Sequence, residues 1–215
     1  MRPPGSTLEP AVESLRVQHV DGLLQPGSTL EPAVESLHTA ALALWFAALV
    51  GAGLAAAVAF PEMKRLDPRL PEFGAYMGEH WMIAGGHIGR RVFALADRAQ
   101  LIASAVGVLT LATATRLRVA SRPWMAVRWI GVGVAAGLAV YNGLVLAPRM
   151  DANLVAYWDA ARAGDEPRAA QFKAAFSAEH PRASRVLSIS AGGVLLGLVA
   201  AAAARGPAGR VSKGL

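Results

Sequence analysis

Residues 39–61 read TAALALWFAALVGAGLAAAVAFP, and no charged side chain interrupts them. About 20 apolar residues at 1.5 Å per residue match the hydrocarbon thickness of a bilayer. Three further stretches share this character: Ala99 to Thr115, Trp129 to Pro148 and Val186 to Ala204. Each is apolar all round, whereas a helix of a soluble core would alternate a polar and an apolar face. Inside lipid the backbone must satisfy its own hydrogen bonds, so each stretch is expected to be a helix. The expected fold is therefore all-α: a four-helix transmembrane bundle, with amphipathic helices in its two long loops.

Composition agrees with that reading. Of 215 residues 54% are hydrophobic and 17% charged, against about 25% charged in an average soluble domain. The expected organisation is a polar N-terminal tail (1–37), a four-span domain (38–205, spans near 39–61, 92–115, 124–148 and 185–204) and a basic C-terminal tail (206–215). The net charge of +6 does not point to nucleic acid, because the basic residues cluster in short segments beside apolar spans. Such clusters signal topology and meet phospholipid headgroups. Cysteine is absent, which excludes thiolate catalysis, thiolate metal sites and disulfides.

The N-terminal tail holds a duplication. Pro4 to Leu15 reads PGSTLEPAVESL, and Pro26 to Leu37 repeats it. Two copies do not make a solenoid, which needs three or more units burying a shared face. Each copy has capping-box spacing, Ser6 to Glu9 and Ser28 to Glu31. The second runs through Ala33, Val34 and Leu37 into the first span and is expected to start that helix. Acidic residues outnumber Arg2 and Arg16 in this tail, so it does not read as a secretory signal, and the first span is expected to act as the insertion signal. Small residues one turn apart, Ala47 and Gly51, Gly133 and Gly137, Gly193 and Gly197, predict close helix contacts.

The connections give a direction. Residues 62–98 hold Pro68 and Pro71 after Pro61, then Gly85 and Gly86, so a helix broken at both places is expected. Residues 149–185 read as two amphipathic helices, divided at Gly164 with Asp165 as N-cap. The short segment between spans two and three carries Arg116, Arg118, Arg122 and Arg128 with no acid, and the C-terminal tail carries Arg205, Arg210 and Lys213. Dense basic segments beside spans stay cytoplasmic. Both termini are thus expected in the cytoplasm, with the two long loops on the other side.

Chemistry-bearing motifs are few. Gly51-Ala52-Gly53-Leu54-Ala55-Ala56 fits a dinucleotide pattern but lies within a span, where no strand-to-helix turn can present backbone N–H groups to a pyrophosphate. His80 and His87 lie seven apart, on one face of an unbroken helix, and His180 falls in the other long loop. With Met63, Met77, Met82 and Met150 they form a candidate copper or haem set, although no tight ligand spacing supports it and packing is the competing reading. The sharper signal is Asp97, with Arg98 and Gln100, more than a turn inside the second span. A charge there is costly, by ~3 kcal/mol or more at mid-membrane and less near the interface. It is expected to have a partner: Arg149 at the end of span three, or else Arg185 at the start of span four. Asn142 and Tyr141 complete a candidate polar vestibule at the outer end of the bundle. This cluster reads either as a structural pair fixing helix register or as a site for a substrate or ion.

Several of these residues also carry a resemblance. The Gly-rich first span ending Ala59-Phe60-Pro61, Arg91-Val92-Phe93 before Asp97 and Gln100, Leu146-Ala147-Pro148-Arg149-Met150, and Phe176 with His180 and Ser184 resemble the four-span membrane protein family similar to transmembrane protein 205. That family is similar in span layout to copper-resistance and haem-biosynthesis membrane proteins, which implies metal or haem handling as one expectation. The chain departs from the family in its duplicated tail and in Ser188, where an amide is more typical. The resemblance brings no established activity.

The expected function is thus a non-enzymatic accessory, assembly or stress-related membrane factor without a cofactor, working in the bilayer with a membrane-protein partner or a second copy of itself. The alternative is a small transporter or a copper- or haem-handling protein using the polar site. An enzyme is least expected, since no nucleophile or acid–base pair stands out.

Overall fold

The computed structural model describes residues 27–205, and every long element in it is helical. Helix α1 (Gly27–Leu66) leads through a 3₁₀ turn (Pro71–Phe73) to α2 (His80–Arg116). Helix α3 (Arg122–Tyr141) passes through a π turn (Asn142–Leu146) directly into α4 (Ala147–Arg162), and α5 (Glu166–Arg205) closes the chain. Residues Arg122–Arg162 make one rod, so four rods form the bundle, each long and apolar enough to cross a membrane. The duplicated copy at residues 4–15 and the basic C-terminal tail lie outside the described residues.

The four apolar stretches sit inside much longer helices. A 40-residue helix such as α1 runs about 60 Å, twice the hydrocarbon thickness. The bundle therefore has two tiers. In the apolar tier Leu42, Trp45, Leu49, Leu111, Val132, Ala135 and Val194 form a buried core. In the outer tier Phe73, Tyr76, Ile83, Leu154, Tyr157 and Trp158 form a second core, flanked by Phe172 and Phe176. The outer surface of the apolar tier is itself apolar: Leu44 is 72% exposed, Val58 71% and Leu144 71%. A water-facing bundle would not leave such contiguous hydrocarbon uncovered.

Helix α1 packs on α2 and α5, and α3 packs on the same two, so α1 and α3 stand on opposite corners. The tightest crossing is α3 against α5. A Cβ on Gly131 would sit 2.5 Å from the Gly193 carbonyl oxygen, and Gly197 lies against Leu42 and Val132. Of the three predicted small-residue pairs only Gly193 and Gly197 lie at such a contact. Gly51, Gly133 and Gly137 face open space.

Three local expectations are corrected. Pro61 does not end α1. A proline costs one backbone bond and a local clash, but the surrounding helix absorbs this and ends at Leu66, where Asp67 (φ 39°) donates its N–H back to the Met63 carbonyl. Gly85 and Gly86 do not break α2. They thin the helix where large rings press on it: Cβ atoms there would lie 3.0 Å from Phe60 and 3.2 Å from Trp158. The two helices read between residues 149 and 185 are instead outward extensions of the third and fourth rods. Their division does fall at Gly164 (φ 71°), and the Asp165 carboxylate accepts the Arg168 N–H at 3.1 Å as an N-cap.

Candidate functional site

Asp97 lies inside α2, half-buried, with α3 beside it. Its Oδ1 accepts two amide N–H groups, from Gln100 Nε2 at 2.8 Å and Asn142 Nδ2 at 2.7 Å. Gln100 stands one turn along the same helix and is buried. Asn142 opens the π turn of the third rod, where the Ala147 N–H reaches back to the Asn142 carbonyl. A π turn is one extra residue inserted into a helix, and such turns concentrate at functional sites. The local chain is packed closely on α2, since a Cβ on Gly143 would lie 3.1 Å from Leu101.

The expected arginine partners are elsewhere, which corrects the pairing. Arg149 reaches Glu179 at 2.8 Å, and Arg185 donates to the Pro181 carbonyl on its own helix at 3.2 Å. Arg98 points outward and is exposed. Glu179 satisfies Arg149 because α4 and α5 run side by side beyond the apolar tier, with Arg149 exposed and Glu179 largely covered. Of the six predicted polar residues the structure brings together Asp97, Gln100 and Asn142, and it separates Arg98, Arg149 and Arg185.

The three candidate metal ligands are also apart. His80 is buried and both ring nitrogens are used. Nδ1 accepts the Leu70 N–H, and Nε2 lies 3.0 Å from the Tyr76 carbonyl, which places the proton on Nε2. The imidazole thus pins the 67–79 connection to α2. His87 stacks on Trp158 with ring centroids 3.8 Å apart, beside the Arg90–Asp151 ion pair. His180 is exposed next to Phe176. Among the described residues no three His, Asp or Glu side chains converge on one point that could hold a metal ion.

A second polar centre, which the sequence reading did not identify, joins all four rods at the opposite end. Arg128 of α3 is fully buried and bonds both carboxylate oxygens of Glu35 on α1, at 3.0 and 2.7 Å. This fork-on-fork geometry is the strongest form of the pair, and it crosses the diagonal of the bundle. From α5, Arg205 donates to the Glu35 carbonyl (3.1 Å) and to the Thr39 hydroxyl (2.7 Å), and the Ala201 carbonyl accepts from Arg128 at 3.4 Å. From α2, Thr110 donates its single hydroxyl proton to the Val106 carbonyl at 2.7 Å. Its oxygen must then accept from His38 Nδ1, 2.9 Å away, so His38 carries its proton on Nδ1. His38 is fully buried, and its Nε2 has no partner among the described residues.

The two centres differ in chemistry. Glu35 faces a guanidinium, so its negative charge is cancelled within the protein. Asp97 faces only amide dipoles, and its Oδ2 accepts no bond from any described residue. These features define a class: a multi-pass helical membrane protein with two internal polar layers. Comparison of the chain with family profiles, with curated proteins and with solved structures finds no match.

Proposed function

We propose that this chain is a non-enzymatic membrane factor, serving an accessory, assembly or stress-related role beside a membrane-protein partner or a second copy of itself. The observation that carries this reading is how the buried polar groups are spent. Glu35, Arg128, Thr39 and Arg205 bond one another across the rods, and Asp97, Gln100 and Asn142 bond one another between two of them. Among the described residues the hydroxyl bonded to an imidazole, Thr110 with His38, is buried, and its own proton goes to the Val106 carbonyl. Similarity to the transmembrane protein 205 family, carried by the motifs around Pro61, Asp97 and Arg149, fits the same reading. So does an orientation with both termini in the cytoplasm, which puts the exposed Arg116, Arg118 and Arg122 on the cytoplasmic face.

The test is purification in mild detergent with an absorption spectrum, elemental analysis and cross-linking in native membranes. The expected result is no haem band, no stoichiometric copper and one reproducible cross-linked membrane partner or homodimer. A Soret band or bound copper would overturn it. A second reading, a small transporter, is favoured by one observation: Asp97 is an intramembrane carboxylate to which no described residue brings a cation, beside a π turn. The copper or haem variant has less support, because His80 would have to give up two backbone bonds.

A further inference from the structure

Arg128, held at two forks of Glu35, shows how this fold neutralises a buried carboxylate that must stay charged. Asp97 has no such arrangement. The groups around it can be named from every neighbouring element. On α2 they are Arg98, which is exposed, and Gln100. On the third rod they are Tyr141, half-buried, and Asn142. On α1, contacts of Phe60 with Gly85 and Gly89, and of Leu42 with Gly107, set a register that brings Val50 to Gly53 to this level, with no titratable group. On α5, the contact of Gly131 with Gly193 and Gly197 sets a register that brings Ser184 and Arg185 level with Asn142, and Arg185 is bonded to Pro181. Among the described residues no guanidinium or ammonium bonds the carboxylate.

From this geometry we infer that Asp97 is a reversible proton-binding site, with Oδ2 as the atom that takes the proton. The step balances simply: the carboxylate and one proton combine to a carboxylic acid, with no bond broken in the chain and no other reactant. The two amide N–H groups on Oδ1 are strong charge-assisted donors while Asp97 is ionised. They become ordinary neutral hydrogen bonds, about half as strong, once it is protonated. One of them, from Asn142, is a polar link between α2 and the third rod, and it sits at the first residue of the π turn. Proton binding therefore loosens one defined inter-helix contact at a place where the backbone already departs from α geometry. This deepens the transporter reading, yet proton binding and transport fail separately, because binding is read without any flux.

The experiment is infrared difference spectroscopy of the full chain in lipid nanodiscs, titrated from about pH 4 to about pH 9. The expected result is a desolvated protonated-carboxyl band that grows as pH falls and is missing in Asp97→Asn. In Asn142→Ala the ionised form loses one donor, so the midpoint should move upward by about one pH unit. That variant also covers the case in which Asp97→Asn fails to fold. A spectrum with no titrating band assignable to Asp97, or an Asn142→Ala midpoint equal to that of the parent, overturns the inference. Substrate-driven flux in proteoliposomes, measured alongside, tests the transporter reading independently.

Discussion

Among the described residues, Glu35 and Asp97 are carboxylates inside this bundle, and they are treated in opposite ways. Glu35 meets a fully buried guanidinium from the diagonal helix, and Arg205 caps its main chain. Asp97 meets two amides from its own helix and one neighbour. The first arrangement suits a charge that never changes, because an ion pair removed from water is held only while both charges persist. The second suits a charge that comes and goes, because amides can donate to an acid as well as to its conjugate base. The comparison also separates roles along the membrane normal. One end of the bundle is a four-helix lock, and the middle of the rods holds a two-helix contact next to a π turn.

The largest expected effect breaks the lock. Glu35→Gln leaves Arg128 charged and buried, and should cost about 3–5 kcal/mol of stability, read as thermal unfolding in nanodiscs. Glu35→Gln combined with Arg128→Met should recover much of that loss, since an uncharged pair carries no stranded charge. Smaller effects are expected at the other carboxylate. Asp97→Leu strands the Gln100 and Asn142 donors and should cost about 1–3 kcal/mol, whereas Asp97→Asn keeps an acceptor oxygen and should cost under about 1 kcal/mol. Both should exceed Glu72→Gln, an exposed change expected near zero. If Asp97→Asn proved as damaging as Glu35→Gln, the contrast between the two sites would fail.

The smallest effect lies in the outer tier, where charges meet water. Lys173, 3.3 Å away, and then the Trp81 indole hold the Glu79 carboxyl below the usual carboxylate range. A depressed folded value contributes stability that is complete above the unfolded value and lost as pH falls through the folded one. Both groups are substantially exposed, so Glu79→Gln should change stability by no more than about 0.5 kcal/mol near neutral pH, and less at acid pH. Orientation sharpens the same comparison by stating which side holds the lock. The chain contains no cysteine, so single cysteines at Ser121 and the exposed Ala163 can be labelled with an impermeant maleimide in intact cells. Labelling at residue 163 alone is expected.

Much of the fold was legible because apolar stretches of bilayer length leave few alternatives, and the division at Gly164 with the Asp165 cap was legible because the needed backbone signals are local. The outward helix extensions were harder to read. Their residues are polar on one side and are held by a core that joins Phe73, Ile83 and Tyr157, which come from different parts of the chain. Gly85 and Gly86 looked like breakers because their reason, Phe60 and Trp158 pressing on the helix, is tertiary. At the candidate sites, Asp97, Gln100 and Asn142 stood out as polar residues within apolar runs. Glu35 and His38 do not, because the uncharged run begins only at Thr39, and Arg128 follows in sequence on the basic segment that starts at Arg116. One signal was present: Glu35, His38 and Thr39 share a helix face leading into the apolar run. Which residue they meet depends on the diagonal placement of α1 and α3, which no local pattern encodes.

The most direct test is a pair of double-mutant cycles in lipid nanodiscs, Glu35→Gln with Arg128→Met and Asp97→Leu with Asn142→Leu, each read as unfolding free energy. The account predicts a coupling of at least about 2 kcal/mol for Glu35–Arg128 and a clearly smaller one, about 1 kcal/mol or less, for Asp97–Asn142. Equal couplings, or a larger one at Asp97, would contradict it.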